Sequence, residues 1–378
     1  MSAEQFDIAI VGAGIAGASF AAALGARGRV VLLEMEDAPG HHATGRSAAL
    51  FSMTYGPAPI RALSRASEAF YLSPPAGFAD HPLLTPRGMV MPARADQLGA
   101  LEAMMDEIGP NGPAQVVDGA RARELCPLLR DGYAVSAMWD DAARDIDVNA
   151  LHMGFLRQVR AAGGDLRLRA GVTGLARVGD AWEIETRAGP IRAGIVVNAA
   201  GAWADELGSM AGAVATGLQP RRRSAAIVEA PFGLDLAGLR MLVDIEEQFY
   251  LKPEAGKLLI SPADETPTPP CDAWPDDMDI AIAVDRIETA CELSVRRIER
   301  SWAGLRSFVA DGCPVVGYDP RAEGFFWLAG QGGYGIQTAP ALGRLAAALA
   351  EGRAVPGDII DQGLDPSGLA PRAERFPQ

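Results

Sequence analysis

The chain is poor in the residues that build disulfide frameworks and metal centres. Its 378 residues include only four cysteines and four histidines. Cys126, Cys271, Cys291 and Cys313 are far apart, with no Cys-x-x-Cys pair, which argues against a redox dithiol and for reduced thiols in a cytoplasmic setting. His41, His42, His81 and His152 form no metal-ligand spacing with cysteine or carboxylate, so no metal is expected. Lysine and arginine are outnumbered by acids, and the net charge is −14. No predicted helix carries a basic stripe, which excludes nucleic acid and anionic membranes as natural partners. No apolar run reaches the roughly 18 residues of a membrane span. The N-terminal MSAEQFD has no basic segment before an apolar run, so no signal peptide is expected. Aromatic residues are scarce at 6%, yet 49% of the chain is hydrophobic. That is enough for one large composite domain or two domains.

What is present is concentrated at the start. Asp7–Val11 reads as a buried strand. Gly12-Ala13-Gly14-Ile15-Ala16-Gly17 turns the chain into a helix that runs to about Gly25. Val30–Leu33 is a second strand, ending on Glu34. Gly12 permits the tight turn, Gly14 allows backbone to approach a pyrophosphate, and Gly17 allows close helix–strand packing. The helix N-terminus offers free N–H groups and a positive dipole end to phosphates. Glu34 can accept both ribose hydroxyls of an adenosine. Together these predict a dinucleotide site.

Further along, Val148–Ala162 reads as an amphipathic helix and Asp165–Ala170 as a strand. Val172–Val178 and Trp182–Thr186 suit a hairpin. Ile191–Asn198 is an apolar strand, with a helix from about Ala202. Phe325–Ala329 is another strand, and Gly335–Glu351 a long apolar helix. Residues 85–146 and 219–302 have a different character, with strand-like segments at Gln219–Glu229, Gln248–Lys252 and Lys257–Ser261. Asp264–Asp279 is rich in Pro and Asp and predicts an exposed loop. The expected fold is mixed α/β. A Rossmann-like nucleotide domain (1–84, 147–218, 303–378) interleaves with an antiparallel-sheet domain (85–146, 219–302) that binds substrate.

Three features favour FAD over NAD. The small polar loop His41–Ala49 can follow a long cofactor towards an isoalloxazine. Asn198-Ala199-Ala200-Gly201 ends a strand with small residues. Gly330–Thr338 opens the last helix, whose N–H groups would face charge developing at the N1/O2 edge of a reduced flavin.

The stretches VGAGIAGAS, ATGRSAA, PPAGF, HPLL, VNAAGAWAD, GLQPRRRSA, FYLKP, WAGLRSFVADG and AEGFFWLAGQGGYGIQT span nearly the whole chain. In them the sequence resembles the D-amino-acid oxidase, glycine oxidase and sarcosine oxidase superfamily. Within it, the likeness is to D-amino-acid dehydrogenases of the bacterial D-arginine dehydrogenase type. The resemblance implies non-covalent FAD on Gly12, Gly14, Ala16, Gly17, Glu34, Met35, Thr44, Gly45, Arg46, Ser47, Ala48, Val172, Ala200, Gly201, Gly332, Gly333, Tyr334, Gly335, Ile336 and Gln337. It implies Arg306, Arg223, Tyr250 and Tyr55 as the residues that hold an amino-acid carboxylate over the flavin. Guanidinium suits this task, because it binds carboxylate through two parallel hydrogen bonds. If Gln219–Glu229 is a strand, Arg221 and Arg223 share one face and Arg222 points away.

Leu50, Ser52, Gly88 and Gly333 are the expected substrate-pocket residues. Arginine-preferring relatives carry a glutamate after an LL-S-P-R stretch and a histidine after the GRSAA loop. Here Leu83–Met89 has no carboxylate and Leu50 replaces the histidine, so an apolar or broad D-amino-acid range is expected. The implied reaction is oxidative deamination, with hydride passing from Cα to flavin N5 and release of a 2-oxo acid and ammonia. The electron acceptor, whether oxygen, a quinone or an artificial dye, is left open, and a monomer is expected. A glycine- or sarcosine-type amine oxidase is the alternative reading, and a non-catalytic FAD protein is the alternative of another class. A flavin monooxygenase would carry Gly-Asp where Gln331-Gly332-Gly333 stands. A disulfide reductase would need a second nucleotide fingerprint. Covalent attachment through Cys313 is disfavoured by its turn position.

Overall fold

The computed structural model describes residues 3–110 and 112–376. Its first sheet has eight strands. Five of them run parallel, in the order Asp165–Arg167, Val30–Leu33, Glu4–Val11, Ile191–Asn198 and Phe325–Ala329. Ile8–Val11 and Val30–Leu33 are uninterrupted apolar runs because helices or loops cover both faces of the sheet. The far edge of Ile191–Asn198 is shared. Its first half pairs antiparallel with Ala181–Thr186, and its last residues pair parallel with Phe325–Ala329. On one face lie the helices Ile15–Leu24, Val148–Ala161 and Gly335–Ala350, around Ile10, Phe20, Leu32 and Phe326. The other face is packed by Trp182, Phe325 and Trp327. Fully burying each such large apolar side chain contributes roughly 1.5–3 kcal/mol.

A second, nine-stranded sheet is antiparallel except where Met241–Val243 runs parallel to Met89–Ala93. The strand Ile298–Phe308 pairs with Gln219–Val228 along its length. It therefore runs straight through the expected boundary at 303, because its partner holds it on both sides of that position. A small third sheet joins Leu50–Phe51 and Leu84–Pro86 to Arg144–Ile146.

Several elements differ from the sequence reading. Asp165–Arg167 stops three residues early, and Arg169 takes a left-handed φ of 53°. The strand expected at Gln248–Lys252 is Tyr250–Glu254, since Glu247 occupies the preceding turn at φ 54°. The stretch Asp264–Asp279 is only partly an exposed loop. Thr266–Pro267 pairs with Arg221–Arg222, the Asp264 side chain is buried, and a helix starts at Asp277 with Asp276 as its cap. The helices Leu98–Ile108 and Gly119–Leu125 lie in the 85–146 region expected to be strand-like, and Ala58–Leu72 is a helix in a stretch for which the sequence offered no assignment.

Candidate active site

The glycine-rich turn is shaped by what it touches. Gly12 has a φ of 104°, and a Cβ there would run into the carbonyl of Ala199 at the end of the neighbouring strand. A Cβ on Gly17 would collide with the Gly12 carbonyl, so the helix lies directly on the turn. Glu34 is buried at the strand end, where it accepts from Ala13 N at 3.2 Å and Glu36 N at 3.1 Å. Each carboxylate oxygen keeps acceptor capacity for a ribose hydroxyl. Thr44 Oγ1 accepts from Ile15 N at 3.0 Å and so draws the 40–48 loop onto the helix N-terminus. His152 Nε2 meets the carbonyl of Ala13 at 2.8 Å, and burial lowers the imidazole pKa. Asn198 braces the other side, donating to Ala204 O at 2.7 Å and accepting from Ala200 N at 3.3 Å.

These parts enclose a cleft of about 710 Å³, within the ordinary range for a cofactor or ligand site. Of the expected cofactor residues, Gly12, Gly14, Ala16, Glu34, Met35, Thr44, Arg46, Ser47, Ala48, Val172, Ala200, Gly201, Gly332, Gly333, Gly335 and Ile336 line it. Arg223, Tyr250 and Arg306 line it as well. Gly332 has a φ of 55° and turns the chain into the helix Gly335–Ala350, whose first N–H groups have no intrahelical partner. The turn is tied down by Gly332 N donating to Ser307 O at 2.9 Å.

Other expected residues stand behind the wall. Gly17 and Gly45 serve backbone packing, the latter donating to Gly40 O at 2.7 Å. Tyr334 packs edge-on against Tyr55, with ring centroids 5.0 Å apart. Gln337 is buried, its Oε1 accepting from Ser52 N at 3.2 Å, while its Nε2 has no acceptor among the described residues. Three expected pocket residues fall outside the cleft. Gly88 is pressed against the Trp139 ring and Arg240, which explains its glycine without a substrate. Ser52 turns away to donate to the buried Asp140 at 2.9 Å. Leu50 pairs with Asp145 in the small sheet and packs beside the methionine-rich cluster of Met89, Met91 and Met241. Arg46 lines the cleft, but its guanidinium is a tie. It donates to Ala273 O at 2.7 Å and Ala303 O at 2.9 Å, and it pairs with Asp272.

Other lining residues had no signal in the sequence. Pro270, Cys271 and Ala273 reach the cleft from a distant loop, and Trp203 stands beside His42 at 4.7 Å. His41, His42 and Asp272 have ligand-type atoms within 4.8 Å of one another. Asp272 joins from more than 200 residues away, so no spacing could show this. Its carboxylate is already engaged by Arg46.

The three consecutive arginines behave differently, and of them only Arg223 lines the cleft. Arg222 points away, to Asp279 at 2.7 Å. Arg223 donates to Asp264 O at 2.8 Å and pairs with Glu265 at 2.9 Å, and Arg221 pairs with the other Glu265 oxygen at 2.8 Å. Arg306 forms no ion pair within 4 Å among the described residues. Burial works against its charge, but the neighbouring Tyr55, Tyr250 and Glu247 oxygens outweigh that and raise its pKa. Tyr55 does not line the cleft. It donates to Glu247 at 3.3 Å, and burial with the Glu247 charge pushes its pKa up to about 12.

The residues present fit FAD: a carboxylate placed for ribose, two helix N-termini facing one cleft, and a small-residue loop between them. A family model described as FAD dependent oxidoreductase (DAO) matches residues 7–349. A glycine oxidase of Geobacillus kaustophilus is 26% identical over 374 residues, covering 94% of this chain and 96% of that protein. Human mitochondrial dimethylglycine dehydrogenase is 27% identical over 297 residues, and there the match spans only 34% of the longer relative. The solved glycine oxidase of G. kaustophilus superposes with a TM-score of 0.81 at 25% identity, covering 98% of this chain and 99% of that one. The phosphate turn, the ribose carboxylate and the family match thus agree along the length of the molecule: the chain belongs to the DAO family of FAD-dependent oxidoreductases.

Proposed function

We propose that the chain oxidises the Cα–N bond of an α-amino acid or its N-alkyl derivative, giving an imine that water converts to a 2-oxo acid. The observation that carries this reading is Arg306, a guanidinium facing the cleft with no ion-pair partner among the described residues, beside the Gly332 turn. It would take the substrate carboxylate through two parallel hydrogen bonds and fix the orientation of Cα. Bound FAD would supply the two-electron acceptor. The glycine oxidase relatives support a small amine as substrate.

A second reading, a D-amino acid with an apolar side chain, is supported by the wall behind Tyr250. Met241 and Val243 pack there, while the loop carboxylate Glu265 is held by Arg221 and Arg223 and Glu247 accepts from Tyr55. An unpartnered cationic side chain is costly to bury, whereas each buried CH₂ contributes about 0.8 kcal/mol. The test is anaerobic mixing with glycine, sarcosine and sets of D- and L-amino acids while following flavin absorbance. Bleaching by glycine or sarcosine alone supports the first reading. Faster bleaching by D-leucine or D-methionine than by D-arginine supports the second. No bleaching by any amino acid overturns both.

A further inference from the structure

We propose that Glu265 is a specificity-determining residue that restricts the site to substrates bearing one carboxylate, an inference that rests on the amino-acid reading above. In the antiparallel pair, Arg221 lies opposite Arg306 and Arg223 opposite Gly304. Opposed residues and their i±2 neighbours share a face. The backbone therefore presents Arg221, Arg223 and Arg306 on one side of the sheet. Three cations so close repel one another and would together attract a dianion. Glu265 changes that count. Its Oε2 takes Arg221 Nη1 at 2.8 Å, and its Oε1 takes Arg223 Nη2 at 2.9 Å. The Arg223 Nε is held separately by Asp264 O at 2.8 Å.

One carboxylate thus occupies two guanidinium groups and leaves Arg306 to the substrate. A side-chain carboxylate on the substrate would have to displace Glu265 from Arg223, exchanging one ion pair for another and repelling Glu265 at close range. Glu265 sits at the end of the loop next to Thr266–Pro267, whose pairing with Arg221–Arg222 fixes its reach. Removing the charge frees Arg223 as a second anchor, a few residues across the strand pair from the first.

The test uses the FAD-loaded protein with acetate and succinate as probes, their dissociation constants read from perturbation of the flavin spectrum. No turnover is needed, so this result stands apart from the success or failure of the substrate panel. Glu265→Gln is expected to tighten succinate at least tenfold relative to acetate. Glu265→Asp, which keeps the charge, is expected to hold the wild-type ratio. Adding Arg223→Met to Glu265→Gln is expected to cancel the gain, and Arg223→Met alone to leave the ratio within threefold of wild type. An unchanged succinate-to-acetate ratio in Glu265→Gln would overturn the proposal. A gain that survives the added Arg223→Met would do the same, since it would reflect net charge rather than a freed anchor. If amino acids are oxidised, Glu265→Gln should also raise kcat/KM for aspartate relative to the best monocarboxylic substrate.

Discussion

Gly333→Ala tests the proposed substrate anchor, Arg306, without removing it. A Cβ at position 333 would stand 2.8 Å from Arg306 Nη1 and 3.1 Å from its Cζ. Carbon and nitrogen make optimal contact near 3.5 Å, so the guanidinium must retreat by roughly 0.5 Å or more. The atoms displaced are the far end of a flexible side chain, not backbone, so the fold should hold. Bidentate recognition tolerates little displacement, and a misplacement of about 1 Å costs on the order of 100-fold in rate. We expect kcat/KM for the best amino acid to fall roughly 10- to 100-fold, which is about 1.4–2.7 kcal/mol. FAD content and melting temperature should stay close to wild type. The assay is steady-state turnover with an artificial acceptor, alongside the flavin spectrum and a thermal melt. A kcat/KM within threefold of wild type would refute the reasoning, because it would mean that the Arg306 position does not matter to the substrate.

Other outcomes follow from the same geometry. Arg306→Met should lose about 2–5 kcal/mol of transition-state stabilisation while keeping its FAD; unaltered turnover would make Arg306 structural. Glu34→Ala removes an acceptor for ribose and for Ala13 N, and at roughly 1.5–3 kcal/mol per charged hydrogen bond it should weaken FAD binding at least tenfold, measured by flavin fluorescence on reconstitution. Acid precipitation should release the flavin to the supernatant, because Cys313, the candidate attachment residue, is buried and does not line the cleft; a yellow precipitate would contradict this and point to Cys271, the cysteine that does line it. Burial lowers the His152 pKa below its usual value of about 6.5, so the fold favours the neutral ring. The stability it contributes is therefore complete above pH 6.5 and is lost as pH falls through the lowered pKa. Melts from pH 7.5 to 5 should show this loss in the wild type and a smaller one in His152→Gln; identical pH profiles would exclude the role.

The nucleotide half was legible because its signals are local. The turn Gly12–Gly17, the strand Ile191–Asn198 and the helix at Gly335 each carry their geometry in consecutive residues. The RRR alternation was legible too, since a strand has a fixed period of two and Arg221 and Arg223 do meet the same Glu265. Residues whose meaning lies in a distant partner were not. Gly88 looks like a pocket residue until the Trp139 ring is seen against it. Ser52 looks like a substrate contact until Asp140 claims its hydroxyl. Cys271 and Ala273 line the cleft from the 264–279 loop, which Arg46 ties down from more than 200 residues away through Asp272 and Ala273 O.

The strand Ile298–Phe308 carries one consequence further. Arg306 belongs to it, and the next residue, Ser307, accepts the Gly332 amide of the turn at the flavin end. The proposed anchor for the substrate and the loop that would cradle the ring's carbonyl edge are thus spaced by a single hydrogen bond from adjacent residues. The reach from carboxylate to electron acceptor is built in like the gap of a calliper whose two jaws share one bar. Substrates should then be selected by the length between carboxylate and amine-bearing carbon before they are selected by anything attached to that carbon, and a β-amino acid, one methylene too long, should bind without being oxidised.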